Sequence, residues 1–66
     1  MEVKNNLMEI RLIEYDESPK EFAHRIGVQY MTYYRLEAGK STPSLTKALN
    51  IAKKLNKQLE EIWYLD

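Results

Sequence analysis

The sequence predicts an all-α fold, a compact bundle of five short helices forming one domain over residues 1–66. Three observations predict it. The only glycines and prolines, Pro19, Gly27, Gly39 and Pro43, all fall where a helical reading places breaks. Leu45, Ala48, Leu49, Ala52 and Leu55 recur at the i, i+3, i+4, i+7 spacing of an amphipathic helix. Ser18-Pro19-Lys20-Glu21 combines a hydroxyl N-cap, a proline at the first helical position and a glutamate placed to close a capping box.

Leu7, Ile10 and Ile13 along one edge, widened by Met8, Leu12 and Tyr15, predict a first helix of about two turns. It stops in the polar run Asp16-Glu17-Ser18. The second helix runs from Pro19 to about Ile26 with Phe22, Ala23 and Ile26 inward, and Gly27 ends it by taking a positive φ that other residues resist. After Val28 and Gln29 a third helix of about nine residues reaches Ala38, where Gly39 stops it. Lys40-Ser41-Thr42-Pro43 reads as a basic, hydroxyl-rich loop. Ser44 caps the fourth helix and Asn56 ends it. Leu59, Ile62, Trp63 and Leu65 then form a short apolar segment, either a last helical turn or a small strand.

Several function classes fall away on composition. Without cysteine there is no disulfide scaffold, thiolate metal site, redox motif or cysteine nucleophile. The single histidine, His24, is expected on the exposed side of the second helix, and alone it builds neither a metal site nor a catalytic unit. No enzyme activity, cofactor or small-molecule ligand is therefore expected. No apolar run approaches the ~20 residues of a membrane span, and the polar start is unlike a signal peptide, so a soluble cytoplasmic protein is expected.

Two helices of about eight residues joined by a glycine turn, with one helix before and one after, have the layout of a helix-turn-helix DNA reader. In the unit Pro19 to Ala38, Ala23 is small enough for a close helix crossing, Gly27 makes the turn, and Tyr33 and Leu36 face the core. Ten Lys and Arg balance ten Asp and Glu over the whole chain, which by itself argues against a nucleic-acid partner. The balance is a cancellation. Residues 20–57 carry eight Lys or Arg against Glu21 and Glu37, while both flanks are acidic. The predicted reading unit is thus basic.

The stretches Ser18-Pro19-Lys20-Glu21-Phe22-Ala23-His24-Arg25-Ile26-Gly27-Val28, Arg35-Leu36-Glu37-Ala38-Gly39-Lys40 and Pro43-Ser44-Leu45, ahead of Ala48-Leu49 and Ile51-Ala52, resemble the Cro/repressor-type helix-turn-helix family, also described as xenobiotic-response-element-like. The resemblance runs from about Asn6 to Trp63. It is greatest to very short members that act as dimeric transcriptional repressors, and it implies a bacterial, phage or mobile-element regulator that binds a palindromic operator as a homodimer. In some such members the chain ends pair as a β-ribbon, which suits Glu2-Val3-Lys4 and Ile62-Trp63-Tyr64. The resemblance also implies an ion pair between Arg11 on the first helix and Glu37. Three positions depart from the family pattern: Pro19 stands for the usual Gln, Ala38 for Asn, and Tyr33 for Ile or Val.

With the third helix in the major groove, Tyr30, Met31, Tyr34 and Arg35 point away from the Tyr33/Leu36 face and, with Gln29, are the candidate base contacts. Arg35 can take guanine O6 and N7 together, and Met31 and the tyrosine rings can meet thymine methyls. Lys20, Lys40, Ser41, Thr42 and Lys47 are candidate phosphate contacts, the lysines at helix starts being helped by free N–H groups. Trp63, Tyr64 and Leu65 are too apolar for the end of a monomer and are the candidate dimer interface, Leu59 and Ile62 being expected to close the bundle. The competing reading is an antirepressor- or antitoxin-like interaction module that uses this fold without binding DNA.

Overall fold

A computed structural model describes all of residues 1–66. In chain order the elements are β1 (Val3–Asn5), α1 (Leu7–Glu9) continuing into a π-helical stretch (Ile10–Tyr15), α2 (Pro19–Ile26), α3 (Tyr30–Glu37), α4 (Leu45–Lys54), α5 (Leu59–Ile62) and β2 (Trp63–Leu65). The five predicted helices are present. The two strands pair antiparallel in the register Val3↔Leu65, Lys4↔Tyr64 and Asn5↔Trp63, so the chain ends form a small ribbon.

Local chemistry sets most boundaries. Ser18 Oγ accepts the Glu21 N–H while Glu21 Oε1 accepts the Ser18 N–H, closing the capping box at the start of α2. Gly27, at φ 76°, ends that helix with its N–H turned back to the carbonyls of Ala23 and His24. Ser44 Oγ caps α4 through the Lys47 N–H. Asn56 leaves it in the left-handed region at φ 55°.

The core joins Leu7, Ile10, Phe22, Ala23, Ile26, Tyr33, Leu36, Ile51, Ala52, Leu55 and Ile62. Phe22 lies edge-on to Tyr33, with ring centroids 5.5 Å apart, and Tyr15 is tilted against Phe22 at 5.6 Å. These contacts fix α3 across α2, the crossing that a helix-turn-helix needs.

Two faces differ from the sequence expectation. On α4 the buried stripe is Ala48, Ile51, Ala52 and Leu55, while Leu45 and Leu49 are exposed. Both stripes obey helical spacing; Ile51, inside the core, decides which one turns inward. In the first helix the final turns are π-helical rather than α-helical, Ile13 is 80% exposed, and Arg11 is buried in place of an apolar side chain. The inward place goes to Arg11 because α3 offers it a hydroxyl and a carboxylate.

Candidate nucleic-acid interface

The inner face of α3 is held by a polar cluster. Arg11 Nε donates to the Tyr33 hydroxyl at 3.2 Å and to Glu37 Oε1 at 3.1 Å, and Tyr33 donates to the same Glu37 oxygen at 2.5 Å. Arg11 Nη1 reaches the Glu17 carbonyl at 3.0 Å. The expected Arg11–Glu37 pair is therefore present, with Tyr33 inserted into it. Burial pushes the Tyr33 hydroxyl well above the usual tyrosine range, and the adjacent carboxylate adds to the rise. For Arg11 burial acts downward, but the hydrogen bonds to Tyr33 and Glu37 outweigh it and raise the guanidinium further. A second clamp joins α2 to the segment before it. Arg25 makes a two-pronged pair with Glu17, at 2.9 and 2.8 Å, and lies over the Tyr15 ring at 4.2 Å. The Arg25 hydrogen bond holds the Glu17 carboxyl below the usual carboxylate range.

The outer face of α3 is open. Tyr30, Met31 and Tyr34 are 41, 63 and 49% exposed, and Arg35 is exposed beside them. Gln29, also exposed, occupies the N-cap position without capping, so the first-turn N–H groups of α3 have no side chain closing them off. Lys20, in the first turn of α2, lies 5.8 Å from the Tyr30 ring centroid, which brings the starts of α2 and α3 side by side.

Lys40 and Thr42 are exposed and Ser41 half-buried in the loop after α3, and Lys47 is exposed in the first turn of α4. The α4 start is less free than its sequence suggests, because Ser44 Oγ takes the Lys47 N–H. Of the eight cations in residues 20–57, Arg25 and Lys57 are paired, with Glu17 and Glu14. Lys20, Arg35, Lys40, Lys47, Lys53 and Lys54 have no carboxylate within 4.0 Å. The acidic N-terminal flank thus neutralises the cations at its own side and leaves the others unpaired.

The third group of predicted residues is split. Trp63 is half-buried and packs on the core, whereas Tyr64 and Leu65 are exposed. They line a shallow apolar groove of about 520 Å³ together with Val3, Leu45, Ala48 and Leu59. Leu45, expected in the core, is instead part of this wall, and Ile62 closes the bundle while Leu59 is shared with the groove. Sequence reasoning missed Asn5, whose side-chain amide donates to the Leu36 and Glu37 carbonyls at 3.0 and 3.4 Å. No local signal marks a contact made across that much intervening chain. No helix is long and apolar enough to cross a membrane.

A family model described as helix-turn-helix matches residues 7–62. Two curated relatives, each described as an uncharacterized HTH-type transcriptional regulator from the archaeon Archaeoglobus fulgidus, are 38 and 36% identical over 53 residues. Each alignment covers 80% of this chain, and 75 and 76% of the respective relative.

Proposed function

Because this chain belongs to the Cro/repressor-type helix-turn-helix family of DNA-binding regulators, we propose that it represses transcription by binding a palindromic operator as a homodimer, with α3 in the major groove. The observation that carries the reading is the two-sidedness of α3. Tyr33, Leu36 and Glu37 are fixed inward, while Tyr30, Met31, Tyr34 and Arg35 stand on the outward, exposed face.

In this reading Arg35 pairs with guanine, Gln29 meets a base edge or phosphate at the helix start, and the two tyrosines and Met31 supply apolar and hydroxyl contacts. Lys20, Lys40, Ser41, Thr42 and Lys47 set the register on the backbone, as phosphate contacts do. A second copy docks on the groove that Tyr64 and Leu65 line with Val3 and Leu45.

Fluorescence titration of mixed-sequence duplex DNA at several salt concentrations tests the reading. Affinity is expected to fall steeply as salt rises, and Lys40→Ala to lower the slope of log Kd against log salt by about one. On the tightest duplex selected from a random library, Arg35→Ala is expected to cost about 1–3 kcal/mol and relax specificity at one base. Absence of binding at low salt overturns the reading in favour of the interaction module.

A further inference from the structure

We propose that Asn5 is a positioning residue for DNA reading, fixing the last turn of α3 on the terminal ribbon; the proposal rests on α3 being the reading helix. Asn5 makes three side-chain hydrogen bonds. Its two amide hydrogens are available to the Leu36 and Glu37 carbonyls, 3.0 and 3.4 Å away, and its Oδ1 accepts the Leu7 N–H at 3.0 Å. Its backbone is the last residue of β1, opposite Trp63 in β2. One half-buried side chain therefore joins three elements: the ribbon, the start of α1 and the end of α3.

The bond differs in kind from the other polar tie on this helix. Arg11 holds α3 through the side chains of Tyr33 and Glu37, whose torsions leave some freedom to the backbone behind them. Asn5 holds the main chain of the last turn directly, at the Leu36 and Glu37 carbonyls; the Leu36 carbonyl also accepts the Gly39 N–H at 3.1 Å, so the side chain adds a tie across the fold to the helix's own C-terminal bonding. Arg35 and Tyr34, two of the outward residues, lie in that same turn. A small rotation there displaces their tips relative to base edges, while phosphate contacts made from Lys20 on α2 and Lys47 on α4 keep their reach. The expected signature is therefore a loss of discrimination, not of general DNA affinity.

Asn5→Asp and Asn5→Ser provide the test. Aspartate keeps the acceptor for Leu7 but turns the donor into an acceptor facing two carbonyls. Serine is neutral, keeps a local acceptor for the Leu7 N–H and is too short to reach α3. Circular dichroism melts first define a temperature at which each variant is folded. Kd is then measured there for the tightest duplex selected from a random library and for mixed-sequence duplex. The expected result is a drop of about tenfold in the ratio of the two affinities, comparable to a mismatched base pair, with the mixed-sequence Kd and its salt slope unchanged. A lower melting temperature with an unchanged ratio in both variants makes Asn5 purely structural and overturns the proposal. If the unaltered chain binds neither duplex, the DNA-reading assignment falls and this proposal with it; if it binds both and the variants keep its ratio, only this proposal falls.

Discussion

The Tyr33 hydroxyl donates to Glu37 Oε1 at 2.5 Å, and Arg11 Nε approaches that same oxygen to 3.1 Å, so one carboxylate oxygen serves a phenol and a guanidinium together. Arg11 and Glu37 are both largely shielded from water. The favourable geometry offsets the desolvation of the two charges only while all partners are present, and losing one strands the others. Glu37→Gln is expected to cost about 2 kcal/mol and Tyr33→Phe about 1 kcal/mol, read by urea denaturation. Arg11→Gln made on top of Glu37→Gln is expected to add little, because the two share one interaction. Additive losses would remove the pair from the account of stability.

The same cluster gives the fold an alkaline limit. Burial, reinforced by Glu37, raises the Tyr33 hydroxyl above its ordinary value of 10.0. A group whose folded pKa lies above its unfolded one contributes stability that is complete below the unfolded value and drains away as pH rises past it. The melting temperature is therefore expected to fall from about pH 10 upward, and the fall to be shallower in Tyr33→Phe. Glu17 acts in the opposite window. Its folded carboxyl lies below the ordinary value of 4.5 because Arg25 bonds its charged form. Its contribution is present above that value and is lost as pH falls below it. Glu17→Gln is expected to flatten the acid side of the melting profile without altering the alkaline side.

Gly27 is constrained by its backbone more than by its surroundings. At φ 76° any side chain is strained, and a Cβ there would run into the Lys54 ammonium, the movable tip of a long side chain. Lys54 can swing aside, so the conformational cost dominates. Gly27→Ala is expected to destabilise by about 1 kcal/mol and Gly27→Asn by less, since Asn tolerates left-handed backbone. If Lys54→Ala made Gly27→Ala harmless, sterics rather than φ would govern the turn.

What the sequence disclosed and what it hid divide along the range of the interactions. The start of α2 is set by atoms three residues apart in Ser18 and Glu21, and its end by the conformational freedom of Gly27, so both were readable from the chain. Tyr33 and Leu36 were readable as core because the turn geometry sets which face of α3 meets α2. On α4, however, two apolar stripes shared Ala48, Ala52 and Leu55. Periodicity had no means of choosing between Ile51 and the pair Leu45 and Leu49; that choice depends on where α1, α2 and α5 lie. The π-helical turns have the same origin, since they belong to a segment whose buried residue, Arg11, is defined by partners on α3 and before α2. On α3 the outward positions of Tyr30, Met31, Tyr34 and Arg35 were legible, but the basic patch was visible only as a sum. The pairings Glu17–Arg25 and Glu14–Lys57, which determine which cations stay unpaired, exist only in the folded chain.

The placement of Leu45 bears on the proposed homodimer. Exposing a leucine at the start of α4 beside Leu65, itself 63% exposed, costs the monomer solvation that a second copy would recover. A two-fold axis at this groove uses the same patch from both copies, and a palindromic operator requires two reading helices about 34 Å apart. Leu65→Asp and Leu45→Asp put a charge at the patch without touching the buried core, so helical content is expected to persist. In analytical ultracentrifugation the unaltered chain is expected to sediment as a dimer and both variants as monomers. On DNA the variants are expected to lose affinity for a duplex carrying two inverted half-sites while keeping that for one half-site, because linked binding, not base contact, is what they lack. A concentration-independent monomer for the unaltered chain would refute the dimer. Equal loss on one and two half-sites would instead place Leu45 and Leu65 in the support of the reading head.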